Sequence, residues 1–422
     1  MYHMNIRVFY GWWIVGACFL VALYVSTTIF FGFTAFIEPL IEEFGWSYTQ
    51  VSFAASLRGL EMGILAPFIG YFVDRLGSRK VMIFGAVTVG LGLITLGCTR
   101  SLLTFYAAMV LVAFGAGGCT SVVTMTVLAQ WFRRHLGKAT GIMSSGFGAS
   151  GLCIPLVVLL VDTCGWRTAL ILLGFGMWLL GIPLALVMRD HPETYGYLPD
   201  GDRHPPGTIT SAAADDAEVP FSQVIRDRAF RYLALAEAIR FMGLTAVVVH
   251  IMPYLSTMGV SRITAGLVAG AIPLTSIAGR LAFGWLGDIF EQRYVMMAAF
   301  LSMGAGMFML AHFTGSMLSY CFLIPFSAGF GGITVLRVTM LRAYFGRNGF
   351  GKMIGIIMGC ASIGGVIGPT LAGWIFDTVG TYHLLWLWFS GSIFLAILLI
   401  FLMKKPLPSG TTGDDVPCVK KA

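Results

Sequence analysis

Charge is scarce in this sequence. Only 11% of its 422 residues are Asp, Glu, Lys or Arg, less than half of the roughly 25% usual in soluble domains. That scarcity excludes a water-solvated globular surface. There are 8 cysteines and 7 histidines, and none stands at metal-ligand spacing, so neither a metal site nor a disulfide framework is expected. No nucleophile–base constellation occurs. The glycine-rich stretches lie in apolar runs that follow no strand, which argues against nucleotide binding. An enzyme is therefore not expected, nor a cofactor. The first apolar run has no small-residue cleavage site behind it and continues to spanning length, so it reads as a retained helix and not as a signal peptide. The formal charge of +7 does not point to nucleic acid, because the basic residues collect in alternate short loops.

Apolar length is what the chain has in quantity. Hydrophobic residues make up 57% of it, and the mean hydropathy is +0.83. Runs near or above the roughly 20 residues that cross a bilayer recur twelve times, at about 10–36, 48–72, 80–98, 102–126, 138–161, 166–188, 229–255, 263–287, 294–312, 317–340, 352–376 and 381–403. The expectation is an all-α polytopic membrane protein of twelve transmembrane helices. Even-numbered loops hold Arg75, Arg79, Lys80, Arg133, Arg134, Lys138, Arg293, Arg342, Arg347 and Lys352, whereas odd loops hold little beyond Arg100, Arg167 and Arg262. Both termini are then expected in the cytoplasm.

The hydropathy breaks over 190–228, a segment rich in Pro, Gly, Asp and Ala. It reads as a cytoplasmic linker, partly disordered at 205–219. It divides a six-helix half at 1–189 from a second at 229–403, and 404–422 is a cytoplasmic tail. Landmarks repeat across the division. Gly70 and Asp74 have the spacing of Gly284 and Asp288, with the two aspartates 214 positions apart. Trp131-Phe132 returns 213 positions later as Tyr344-Phe345, and Lys138, Gly141, Gly151 and Pro155 return as Lys352, Gly355, Gly365 and Pro369. A constant offset describes two parallel repeats about an axis along the membrane normal.

Ionisable residues inside the apolar runs are the candidate site. Arg280 costs about 2.5–3.5 kcal/mol at mid-membrane on insertion scales. It lies about eight residues, or roughly 12 Å, from the inner end of its helix. It either faces an anionic substrate or is a structural arginine satisfied by carbonyls. Glu237 and Arg240 are three apart and able to pair on one helix face. They are a structural ion pair or part of a proton path. The stripe Arg240, Gly243, Val247, His250 and Tyr254 lies on one side of helix 7. His250, with a reference pKa near 6.5, suits proton carriage; the plainer alternative is a hydrogen-bonded histidine near the outer interface. Arg58 and Glu61 read as a neutralised pair on helix 2, with Glu61 a second proton candidate. Arg337 is expected near the inner interface. Cys119 and Cys360 are candidate substrate contacts by position alone. Small residues over 141–155 and 355–373 allow helices 5 and 11 to approach their neighbours.

The run Gly70-Tyr-Phe-Val-Asp74-Arg75-Leu-Gly77-Ser-Arg79-Lys80 resembles the signature between helices 2 and 3 of the major facilitator superfamily. Three further stretches narrow the resemblance: Tyr10-Gly-Trp-Trp-Ile-Val, Gln130–Gly141 and His191–Asp202 are similar to segments of bacterial monocarboxylate and oxalate:formate-type porters. The resemblance implies the major facilitator fold, with two pseudo-symmetric six-helix halves. It implies an inner-membrane carrier, expected as a monomer, that moves a lactate- or pyruvate-like monocarboxylate anion together with a proton by alternating access. A carboxylate exchanger is the alternative, and a drug or sugar carrier stands behind it. Arg280 would bind the carboxylate, with His250, Cys119 and Cys360 nearby. His250, Glu237, Arg240 and Glu61 would be the proton-coupling group. Gly70, Asp74, Arg75, Gly77, Arg79 and Asp288 would gate, Asp74 by accepting hydrogen bonds from the start of helix 11 near Gly351 and Lys352. Asp288, with no arginine after it, reads as a degraded copy. The chain departs from the animal lactate porters in lacking a lysine on helix 1 and in having Ser276 where they carry an aspartate. One deep arginine on helix 8 fits a monoanion.

Overall fold

The computed structural model describes residues 9–46, 48–201, 221–312, 321–379 and 381–404. The tail beyond 404 and linker residues 202–220, which include the expected disorder at 205–219, lie outside the described residues. The side chains of Arg58 and Glu61 also lie outside them.

Among the described residues are twelve long helices: α1 (Tyr10–Phe30), α2 (Tyr48–Leu76), α3 (Ser78–Gly97), α4 (Leu102–Trp131), α5 (Leu136–Cys164), α6 (Trp166–Val187), α7 (Arg228–Thr257), α8 (Arg262–Ile289), α9 (Gln292–His312), α10 (Leu323–Phe345), α11 (Phe350–Val379) and α12 (His383–Leu402). Eleven contain stretches long and apolar enough to cross a membrane. The other, α2, is 29 residues long and carries Arg58, Glu61, Asp74 and Arg75. The first span is shorter than its apolar run, because the chain takes a π-helical turn at Ser26–Phe31 and a 3-10 turn at Gly32–Phe36 before a short helix, Ile37–Phe44. Helix α10 sits some five residues later than its hydropathy run and reaches Phe345, because Arg337 and Arg342 are buried within it.

Helix α7 packs on α11 and α12, α8 on α10, and α9 on α10 and α12; α3 packs on α4 and α6, and α1 on α5. The two sets of six meet along α2–α11 and α5–α8. These two seams are the same seam under the repeat, since α2 corresponds to α8 and α5 to α11. On the axis between them, Arg342 Nε donates to the Ala129 carbonyl at 3.1 Å, and 342 and 129 are repeat mates. A residue can touch its own mate only where the pseudo-two-fold axis passes.

The face carrying the start of α1, the end of α12 and the linker, called here the linker face, gathers the three motif-bearing stretches. Phe9 and Tyr197 pack on Trp131. The Tyr10 hydroxyl donates to the Val187 carbonyl at 2.8 Å, and the Arg189 guanidinium lies over the Tyr10 and Tyr195 rings. The Asp200 carboxylate accepts from the backbone N–H groups of Arg133, Arg134 and His135 at 3.0, 2.8 and 3.3 Å. Asp190 accepts from the Ser78 N–H at the start of α3. The first linker residues are thus docked, and Glu193 pairs with Arg347 of the second half.

On the opposite face, Arg167 bonds Glu43 at 2.7 Å and the Gly97 and Thr99 carbonyls at 3.0 and 2.8 Å. Those hydrogen bonds hold the Glu43 carboxyl below the usual range.

Gly77 turns the chain from α2 into α3 at φ +89°, and a Cβ there would overlap the Asp190 carboxylate. An L side chain is strained in that backbone region by about 1–3 kcal/mol. Gly77→Ala is therefore expected to lower the apparent melting temperature of the detergent-solubilised protein by several degrees, whereas Gly196→Ala, with open space around it, should lower it less. Equal melting shifts in intrinsic-fluorescence scans would show that the Asp190 contact contributes nothing.

Candidate functional site

Four ionisable side chains meet at one depth. Glu237 stands nine residues into α7 and Arg240 twelve; Arg280 is nine residues from the same face on α8, and Arg337 eight on α10. At 1.5 Å per residue these positions lie about 12–18 Å from the linker-side helix ends, in the middle of a hydrocarbon layer of about 30 Å. Glu237 is fully buried, Arg240 and Arg337 are 2% exposed and Arg280 is 4% exposed.

Charge is only partly answered within the cluster. Glu237 Oε2 accepts from Arg240 Nε and Nη2 at 3.0 and 2.8 Å and from Arg337 Nη1 at 3.0 Å. The pair that three-residue spacing predicts on α7 is present, and α10 adds a second arginine to it. Arg337 is not at the interface, where its sequence position puts it. It reaches across to the first half, where its Nη2 meets the Met125 sulfur of α4 at 3.6 Å. Arg280 is not bonded to a carboxylate. Its Nη1 donates to the Ser144 carbonyl of α5, its guanidinium lies 5.5 Å from the Phe330 ring centre, and Arg240 is within electrostatic reach of it. Glu237 Oε1, Arg240 Nη1, Arg280 Nε and Arg337 Nε have no hydrogen-bond partner among the described residues. A buried charged donor left unpaired is costly, so the cluster is built to receive a further acceptor.

The remaining candidates lie elsewhere. His250 is almost three turns beyond Arg240, with Nε2 facing the Pro369 carbonyl at 3.1 Å and Nδ1 facing the Tyr382 hydroxyl at 3.3 Å. A carbonyl only accepts, so Nε2 carries the proton and Nδ1 accepts from Tyr382. The ring joins α7 to α11 and α12. Cys119 is fully buried between α3 and α4, donating to the Met82 carbonyl at 3.6 Å. Cys360 is half-buried on α11. Neither cysteine bonds to the arginine cluster.

The two aspartates expected to gate form matching clamps on the linker face. Asp74 accepts from the Gly351 and Lys352 N–H groups of α11, both at 2.9 Å. Asp288 accepts from the Gly137 and Lys138 N–H groups of α5 at 2.6 and 2.9 Å. Asp288 is thus a full structural counterpart of Asp74, and the loss of the following arginine costs it nothing here, because Arg75 bonds only Tyr71 of its own helix. A Cβ on Gly70 would overlap the Gly351 carbonyl, and one on Gly137 the Gly284 carbonyl. These glycines let carboxylate and helix start meet, and each clamp sets a negative charge against the positive end of a helix. Gly77 shapes the turn after the first clamp, and Arg79 is half-buried beside it.

Along α5–α8 the clamp and the cluster share one seam. Asp288 and Gly284 bind around Gly137, Gly141 packs on the Arg280 carbonyl, and Ser144 accepts from the Arg280 side chain. The signal for Arg337 in the sequence was its residue type within an apolar run; what hid it was a helix end placed five residues early.

A family model described as Major Facilitator Superfamily matches residues 17–332 and 233–417. Monocarboxylate transporter 11 of Mus musculus is 26% identical over 410 residues, covering 94% of this chain and 89% of that protein. Monocarboxylate transporter 4 of the same species is 24% identical over 429 residues, covering 98% and 88%, and the human Monocarboxylate transporter 11 is 27% identical over 419 residues, covering 94% and 84%. In fold, the chain is similar to the fucose:proton symporter of E. coli, with a TM-score of 0.70 at 14% identity over 93% of this chain and 98% of that one. It is also similar to a proton:xylose symporter, with a TM-score of 0.74 at 15% identity over 93% and 95%.

If the two clamps are equivalent, Asp74→Ala and Asp288→Ala should release the linker face to a similar extent. Each loses two charge-assisted bonds, enough to shift an opening equilibrium about tenfold or more. A Thr140→Cys reporter on α5, in a background with Cys98, Cys164, Cys321 and Cys418 changed to Ser, should react with a membrane-impermeant maleimide correspondingly faster in both. Acceleration in Asp74→Ala alone would leave Asp288 without a gating part.

Proposed function

The chain belongs to the major facilitator superfamily, and from that premise we propose that it is a secondary transporter of small monocarboxylates of the lactate and pyruvate type, working by alternating access. The substrate class follows the full-length similarity to proteins named monocarboxylate transporters. The site follows one observation: Arg280 is buried at mid-membrane with no carboxylate partner among the described residues and with Nε unpaired among them. A planar guanidinium with free donors suits bidentate recognition of a carboxylate. In this reading the linker face is cytoplasmic, because Arg75, Arg79, Arg133, Arg134, Arg342 and Arg347 gather there.

The mechanism uses the α5–α8 seam. An arriving carboxylate takes the Arg280 donors and replaces the Ser144 carbonyl as their partner. The contact that ties α8 to α5 at mid-membrane is then loosened, on the same seam as the Asp288 clamp. The two halves rock about the cluster, and the clamps break and re-form as the linker face opens and closes. Loading the site also offsets buried positive charge, which favours movement of the loaded carrier.

For coupling, the first reading is proton symport. Glu237 is the carboxylate of the described cluster and has one oxygen without a partner, so it is the group we assign to proton uptake. His250 is the second candidate. The other reading is exchange of one carboxylate for another, and the excess of arginine over carboxylate favours it, since an empty positive site resists reorientation.

Labelled L-lactate uptake into proteoliposomes tests both. Saturable uptake driven by an inward proton gradient supports symport; uptake only with acid inside supports exchange. Arg280→Lys keeps the charge but loses the planar fork, and its uptake efficiency is expected to fall about tenfold or more. Unaltered saturable uptake in Arg280→Lys and Arg280→Gln, with normal elution of the protein on gel filtration, would sink the binding role of Arg280.

A further inference from the structure

The cluster holds three guanidiniums and one carboxylate, so its formal charges leave two positives in excess among the described residues. Glu237 spends one oxygen on both Arg240 and Arg337. Arg240 Nη1 and Arg337 Nε remain unpartnered on side chains 2% exposed, apart from the unpartnered Nε of Arg280. The other partner of Arg337 is a thioether sulfur at 3.6 Å, a weak acceptor that an oxygen anion displaces readily. There are thus two groups of unspent cationic donors, one on α8 and one shared by α7 and α10.

We infer that Arg337 and Arg240 form a second anion subsite beside Arg280, so that the carrier also takes small dicarboxylates and holds them more tightly than monocarboxylates. The inference rests on Arg280 being the substrate site proposed above. Charge decides the preference. A monocarboxylate in the cluster leaves one uncompensated positive charge, whereas a dicarboxylate leaves none, and uncompensated buried charge is what such a site must avoid. Reach decides the size. Arg280 packs against Gly331 of α10, and Arg337 stands six residues further along the same helix, roughly 9 Å at 1.5 Å per residue. Attachment points that close together suit a short acid, of about three or four carbons.

The test is competition against labelled L-lactate uptake in proteoliposomes by malonate, succinate and unlabelled lactate, at a pH where every carboxyl is ionised. In the wild type, malonate or succinate is expected to inhibit at about tenfold lower concentration than lactate, the effect of one further hydrogen bond between charged partners. Arg337→Gln lowers the excess charge to one and should abolish that preference while changing lactate affinity less than about threefold. Glu237→Gln/Arg337→Gln returns the excess to two and, read as displacement of labelled lactate bound to the solubilised protein because Glu237 is the group assigned to proton uptake, should restore part of the dicarboxylate preference, which a packing defect at position 337 would not do. Saturable lactate uptake that neither dicarboxylate inhibits overturns the inference and leaves the monocarboxylate carrier standing. Equal loss of lactate and dicarboxylate in Arg337→Gln, with no recovery in the double variant, makes Arg337 structural and also overturns it. Absence of uptake of any of the three acids by the wild type overturns the transport reading itself, and the inference with it.

Discussion

A guanidinium inside a bilayer must have its charge answered by something other than water, and Glu237 answers two with a single oxygen. That shared oxygen fixes α7 against α10 at mid-membrane. Replacing such a carboxylate exposes buried like charges to each other, a change that commonly costs about 3–5 kcal/mol. The third guanidinium, Arg280, stands outside this neutralised group. Its protein partner is a backbone carbonyl, which offers a dipole and no charge. The cluster is therefore partly neutralised and still carries an excess of positive charge among the described residues. A membrane segment seldom tolerates that imbalance without a functional use for it.

The Arg280 contact and the Asp288 clamp are joined by a short path along one seam. On α5, Gly137, Gly141 and Ser144 lie within two turns of helix, and each touches α8: at the clamp, at the Arg280 backbone and at the Arg280 side chain. In the proposed mechanism, a change of partner at Arg280 would reach Asp288 along this stretch of α5 without a chain of intermediates. The α2–α11 seam repeats the clamp but carries Gly63 against Ser362, and Gly359 against Pro67, in place of the arginine contact. Pseudo-symmetry therefore supplies two like clamps, and the departure from symmetry places a buried arginine beside one of them. The docked linker adds a further tie across the same face through Glu193 and Arg347.

Much of the architecture was legible because membrane helices obey few rules. Twelve apolar runs predict twelve helices, and a constant offset of 213–214 predicts which helices are equivalent. The Glu237–Arg240 pair followed from helical spacing alone. Three features escaped. Arg337 was placed near an interface because hydropathy ends a helix at the first charge, whereas a buried carboxylate on another helix lets α10 run on to Phe345. Asp288 read as degraded because its neighbouring arginine is missing, but the clamp depends on the carboxylate, the helix start and the two glycines. His250 carried the right chemistry for a proton carrier, and the structure holds it between Pro369 and Tyr382, away from the arginines.

By itself the sequence determined what the bilayer dictates: helical spans, their number, their pairing by repeat, and the presence of ionisable side chains too deep to be solvated. Those are properties of one helix at a time, set by transfer free energy and by the need to satisfy backbone polar groups within each span. Only the tertiary structure decided which deep charges meet. Whether Arg337 neutralises Glu237, and whether Arg280 keeps its charge for a ligand, depends on how α7, α8 and α10 are rotated against one another. That rotation is fixed by packing between helices, and no single span encodes it.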